Sequence, residues 1–150
     1  MRAHGHTLWE LVTVIAVVAV LAALALPDFA KLRARTGVTA GADKLLGTLH
    51  FARSRAILGG VPTVVCLSLD GEHCVGRGVA AARGWIVFEN TRAEFTPVRD
   101  PGEPLLRWHR IEAPTRLRAT RSAVTYWPTA RAGMTSTFEF CSMVGGVPPR

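Results

Sequence analysis

Residues 5–27 read GHTLWELVTVIAVVAVLAALALP, and the fold turns on how that stretch is understood. From Leu8 to Leu26 every residue is apolar except Glu10 and Thr13. At ~1.5 Å of rise per residue the run makes a helix of about 28 Å, close to the ~30 Å hydrocarbon thickness of a bilayer. An unpaired carboxylate in lipid costs at least a few kcal/mol, so Glu10, near the head of the run, demands a partner. Arg2 precedes the run. A positive charge there holds that end in the cytoplasm and directs the rest of the chain to the far side.

Three readings compete for this segment. An Arg-containing start, an apolar centre and Ala23-Leu24-Ala25, which fits an A-x-A cleavage pattern, suit a cleaved secretory signal. The acid at its head and the length of the run do not suit one. A plain single-span anchor is the second reading. The third comes from Gly5-His6-Thr7-Leu8-Trp9-Glu10-Leu11-Val12, which resembles the class III signal of type IV pilins and pseudopilins, whose usual form is G-F-T-L-I-E-L. Thr7, Leu8, Glu10 and Leu11 match that form, while His6 stands where Phe or Met is usual and Trp9 is atypical.

The resemblance implies a cut by prepilin peptidase between Gly5 and His6, N-methylation of His6, and a helix kink at Pro27. It also implies an assembly role for Glu10. The cut creates an amine at His6, and in assembled filaments of the family the acid pairs with the N-terminus of a neighbouring subunit. The partners so implied are the peptidase, other pilins or pseudopilins met through the N-terminal helix, and the bacterial inner membrane, crossed once with the C-terminal domain in the periplasm.

Beyond Pro27 the helical pattern resumes. Leu45, Leu46, Leu49, Ala52, Ala56 and Ile57 form an apolar stripe at helical spacing, with Lys44, Arg53 and Arg55 mostly off it. Gly37, Gly41 and Gly47 each weaken a helix by up to ~1 kcal/mol, which predicts a bend or fray. Gly59-Gly60 followed by Pro62 is a helix stop.

From Pro62 the composition changes to β-formers. Thr63–Leu69, ending at the Asp70-Gly71 turn pair, reads as a strand. So do Gly84–Glu89, Leu105–Ile111, Thr115–Thr120, Ala123–Trp127 and Thr135–Cys141. Val75–Arg83 and Asn90–Gly102 read as loops, and Met143–Arg150 as a tail.

Ala52-Arg-Ser-Arg-Ala-Ile57, the Val-Val-Cys strand, Gly84-Trp-Ile-Val-Phe88, Tyr126-Trp-Pro and Phe138-Glu-Phe-Cys141 together resemble the GspH/FimT-type minor pseudopilins. The implied fold is α+β and pilin-like, a long N-terminal helix packed on an antiparallel β-rich domain. The implied organisation is a leader at 1–5, a membrane and assembly segment at 6–27, an amphipathic continuation at 28–60 and a β-rich domain at 61–150. The implied role is a structural, assembly-priming subunit of a type IV pilus or a type II secretion pseudopilus. The alternative is a pilus-associated DNA-binding subunit in DNA uptake. Members of the FimT type continue past the Phe-x-x-Cys strand to a last strand with a Gly-Arg-x-Arg-like element implicated in DNA binding. Here the chain reaches Gly145-Gly-Val-Pro-Pro-Arg150 instead, so that strand is expected to be missing.

The charge is +7, and all but two of the 18 basic residues are Arg, a bias toward planar, bidentate contact with phosphates and carboxylates. Arg107, Arg110, Arg116, Arg118 and Arg121 crowd the C-terminal strands beside Trp108 and Trp127. They are the candidate nucleic-acid contacts, weighed against a solvated basic surface. The 3 Cys allow one disulfide and one thiol in an exported domain; of the three pairings Cys66–Cys74, closing a short loop, is favoured. His50, His73 and His109 have no spaced catalytic partner, no phosphate-binding glycine loop joins a strand to a helix, and no metal-ligand spacing occurs. An enzyme, a metal centre and a cofactor are therefore not expected.

Overall fold

In the computed structural model the described residues are 7–76, 82–94, 98–112, 115–129 and 135–143, without the side chains of 24–28 and 30. Gly5, His6 and the tail from residue 144 onward lie outside them.

Among the described residues one helix, α1, runs unbroken from Leu8 to Gly59 through Pro27, 52 residues or about 78 Å at the α-helical rise. Its start is a capping box. Thr7 is the N-cap, its hydroxyl accepts from the Glu10 N–H, and the Glu10 side chain accepts from the Thr7 N–H. Its end is the expected glycine stop: Gly60 adopts the left-handed conformation, φ 66°, and its N–H donates to the Ala56 carbonyl at 3.1 Å.

Among the described residues six strands follow: β1 Thr63–Ser68, β2 Gly84–Glu89, β3 Leu105–Arg110, β4 Thr115–Ala119, β5 Ala123–Tyr126 and β6 Phe138–Ser142. Four form an antiparallel sheet in the order β3-β2-β1-β5, and β4 pairs with β6 in a separate antiparallel ribbon. The central strands β1 and β2 are buried on both faces, which is why their sequences read as unbroken apolar runs. Val65, Leu67, Trp85 and Val87 point to the face that α1 covers. Val64, Cys66, Ile86 and Phe88 fill the opposite face with Ala123 and Trp108.

The helical stripe that meets the sheet is narrower than the leucine spacing predicts. Ala34, Val38, Leu45, Thr48, Ala52 and Ala56 are buried, whereas Leu46 and Ile57 are exposed. Neighbouring residues on a helix lie ~100° apart, so Leu46 cannot share the sheet-facing line with Leu45. Thr48 occupies that line because it accepts from the Trp85 indole N–H at 3.2 Å.

The bend or fray expected at the helix glycines does not interrupt α1, which is continuous from Leu8 to Gly59, and two of the glycines have a packing role instead. A Cβ on Gly41 would lie 2.9 Å from two ring atoms of Phe140, and one on Gly37 would lie 3.2 Å from the Thr115 hydroxyl. These two glycines are where the ribbon closes on α1. Gly47 meets nothing within 4 Å.

Candidate functional site

Two regions carry features that packing alone does not require: the head of α1 and a cationic cleft halfway along it.

At the head, the described residues of the apolar run, 8–23, are all exposed. Leu8 and Trp9 are the extremes, at 82% and 75%. Nothing among the described residues covers them. Glu10 Oε2 accepts from the Thr7 backbone N–H at 2.9 Å and from the Thr7 hydroxyl at 3.1 Å. The acid is therefore tied across the helix start, four residues beyond His6. A carboxylate in the first turn also faces the positive end of the helix dipole. Among the described residues no helix is long and apolar enough to cross a membrane.

The cleft has a volume of about 350 Å³ and lies between α1 and the connection from β3 to β4. Gly37, Ala40 and Gly41 line the helix side, and Trp85, Ile111 and Thr115 the other. Arg33, Lys44 and Arg110 bring positive charge and Glu112 a negative one. Just beyond, the His109 ring packs at a tilt against Trp85, with ring centroids 5.4 Å apart and planes 38° apart. Burial, and then the charges of Lys44 and Arg107, push the His109 imidazole below the ordinary histidine value.

The five arginines that crowd the sequence have different surroundings. Arg107 lies over the Phe51 ring of α1, 3.5 Å from its centroid. Arg110 lines the cleft. Arg116 and Arg118 flank buried Leu117 and so share the exposed face of β4, with Arg116 Nε donating to Met143 Sδ at 2.8 Å. Arg121 lies between β4 and β5, and its backbone N–H donates to the Ser136 hydroxyl. Trp108 packs against the second core cluster. Of the five, Arg116 and Arg118 are the pair brought together on one strand face.

Cys66 and Cys74 form a disulfide, and Cys141 is free. The bridge closes the turn after β1, where Asp70 gathers the backbone N–H groups of Glu72 and His73 and the His73 ring. Those bonds, the His73 and Glu72 amides foremost, hold the Asp70 carboxyl well below the usual carboxylate range. Among the described residues no group of three or more His, Cys, Asp or Glu could hold a metal ion.

The cleft was not legible in the sequence. Arg33 and Lys44 look like solvated helix residues and Gly37 and Gly41 like weak points, because their common wall belongs to a connection more than 60 residues away. The spacing of Arg33, Gly37, Ala40, Gly41 and Lys44 along one helical line is the signal that could have found it.

Comparison with known families matches residues 41–150 to the model described as type II transport protein GspH. No curated protein and no solved structure matches the chain.

Proposed function

The chain belongs to the GspH family of type II transport proteins, which are pseudopilins, and from that premise we propose that it is a minor subunit that primes and enters a pseudopilus after removal of residues 1–5. The observation that carries this reading is the head of α1: an apolar surface left bare by the chain's own domain, with one acid tied across its start. An exposed apolar surface of this extent suits lipid before assembly and neighbouring helices after it.

In this reading prepilin peptidase cuts between Gly5 and His6, and His6 is then N-methylated. Residues 6–27 reside in the inner membrane, with the helix adjusting at Pro27, and residues 28–150 lie in the periplasm. The new amine at His6, four residues before Glu10 in the sequence, supplies a cation for Glu10 or for a neighbour's equivalent, and a charge pair in a low-dielectric setting removes most of the cost of burying the acid. Thr7 holds the carboxylate until that amine exists.

N-terminal mass determination on the membrane-inserted protein tests the proposal. A chain that starts at His6 and carries one methyl group supports it. A start at Leu26, the secretory-signal outcome, or an uncut chain overturns it.

A further inference from the structure

We propose that the cleft between α1 and the β3–β4 connection is a docking site for an extended acidic segment of a partner polypeptide.

Charge comes first. Three cations, Arg33, Lys44 and Arg110, face one carboxylate, Glu112, so an uncharged occupant would leave the surplus unmatched. The distribution of that charge then selects the kind of anion. Arg33 and Lys44 are 11 residues apart on one helix, which is about 16 Å along its axis. A single phosphate or carboxylate meets one end of such a line; an extended chain of about five residues spans it. Carboxylates at intervals along that chain would engage the cations in turn.

The walls favour a polypeptide over a nucleic acid. Ala40 is exposed and carries only a methyl group, so a backbone can approach α1 closely there, while the space beside Gly37 and Gly41 is taken by Thr115 and Phe140. Glu112 repels phosphates and carboxylates alike, but it can accept from the backbone N–H groups of a polypeptide, which a phosphate backbone lacks. Trp85 is 1% exposed and engaged with Thr48, so it offers no free face for stacking a base. A cleft of about 350 Å³ is at the small end of ligand pockets and matches a few side chains rather than a duplex. The cleft lies on the globular side of α1, so the proposal stands whether or not the leader is cut.

The experiment uses the full chain in neutral detergent and a fluorescein-labelled peptide of alternating Glu and Ala, read by fluorescence anisotropy. Saturable binding is expected. Lys44→Gln and Arg110→Gln should each weaken it about ten-fold, and Glu112→Gln should tighten it. Ala40→Phe, which fills the cleft without changing charge at an exposed position, should abolish it. Arg118→Gln, which removes a cation elsewhere, should leave it within about two-fold. Circular dichroism of each variant establishes that it is folded, and the Ala40 and Lys44 variants report independently. Failure to bind, equal loss in Arg118→Gln, or unchanged binding in Ala40→Phe overturns the proposal. So does displacement of the peptide, at equal or lower concentration, by a single-stranded oligonucleotide or by phosphatidylglycerol vesicles.

Discussion

Gly41 on α1 faces the ring of Phe140 on β6 so closely that an added Cβ would lie 2.9 Å from two ring atoms. Phe140 is itself 1% exposed and meets Trp85 edge-on, at 6.2 Å between centroids. The contact joins the three layers of the domain: helix, ribbon and four-stranded sheet. A ring wedged between a helix backbone and an indole has nowhere to retreat.

Gly41→Ala should therefore destabilise the protein, by about 1–3 kcal/mol from overpacking, partly offset by about 1 kcal/mol of helix propensity. Gly47→Ala, with nothing near its Cβ position, should gain most of that propensity and raise the melting temperature. Thermal unfolding followed by circular dichroism reads both. Equal shifts of the two variants would refute the contact as the cause.

Thr48 is 2% exposed and is the acceptor for the Trp85 indole N–H. Thr48→Val keeps the shape and strands that donor in the core, which should cost about 1–3 kcal/mol. Thr48→Ser should retain most of the stability. Urea unfolding monitored by tryptophan fluorescence discriminates the two.

The Cys66–Cys74 bridge spans a sequence separation of 8. Constraining so short a loop in the unfolded chain stabilises by about 2 kcal/mol. Replacing both cysteines by alanine should lower stability by that order, and reducing agent should shift the wild type but not the variant. Free Cys141 should react with a thiol reagent in both.

His109 supplies a pH dependence whose sign follows from its burial. Its folded value lies below 6.5, with burial the larger cause and Lys44 and Arg107 the smaller ones. As pH falls, the unfolded chain takes up the proton first. The contribution is complete above about 6.5 and declines as pH drops from there through the folded value. Melting temperature should fall between pH 7.5 and 5.5, and His109→Gln should flatten that limb. Asp70, whose carboxyl is held low, acts in a more acidic window, below 3.8. By NMR, Lys44→Gln should move the His109 titration upward, toward the ordinary value.

Local chemistry wrote most of the elements into the sequence. The Gly59-Gly60 stop, the runs Thr63–Ser68 and Gly84–Glu89, and the turn at Asp70-Gly71 depend on backbone conformation and period, which a few neighbouring residues decide. The apolar run with Glu10 at its head is equally local, and so is the family resemblance it carries, which the match at residues 41–150 joins independently from the other side.

Tertiary structure decided what the elements do to one another. Period alone cannot tell Leu45 from Leu46, because only the sheet sets which line of the helix is inside. Nor can it tell a weakening glycine from a contact point: Gly41 and Gly47 differ only in whether Phe140 arrives from about 100 residues away. The pairing of β4 with β6, the insertion of β5 beside β1, and the meeting of Arg33 and Lys44 with Arg110 in one cleft are long-range closures. They depend on burying many side chains at once, a quantity no short window of sequence contains.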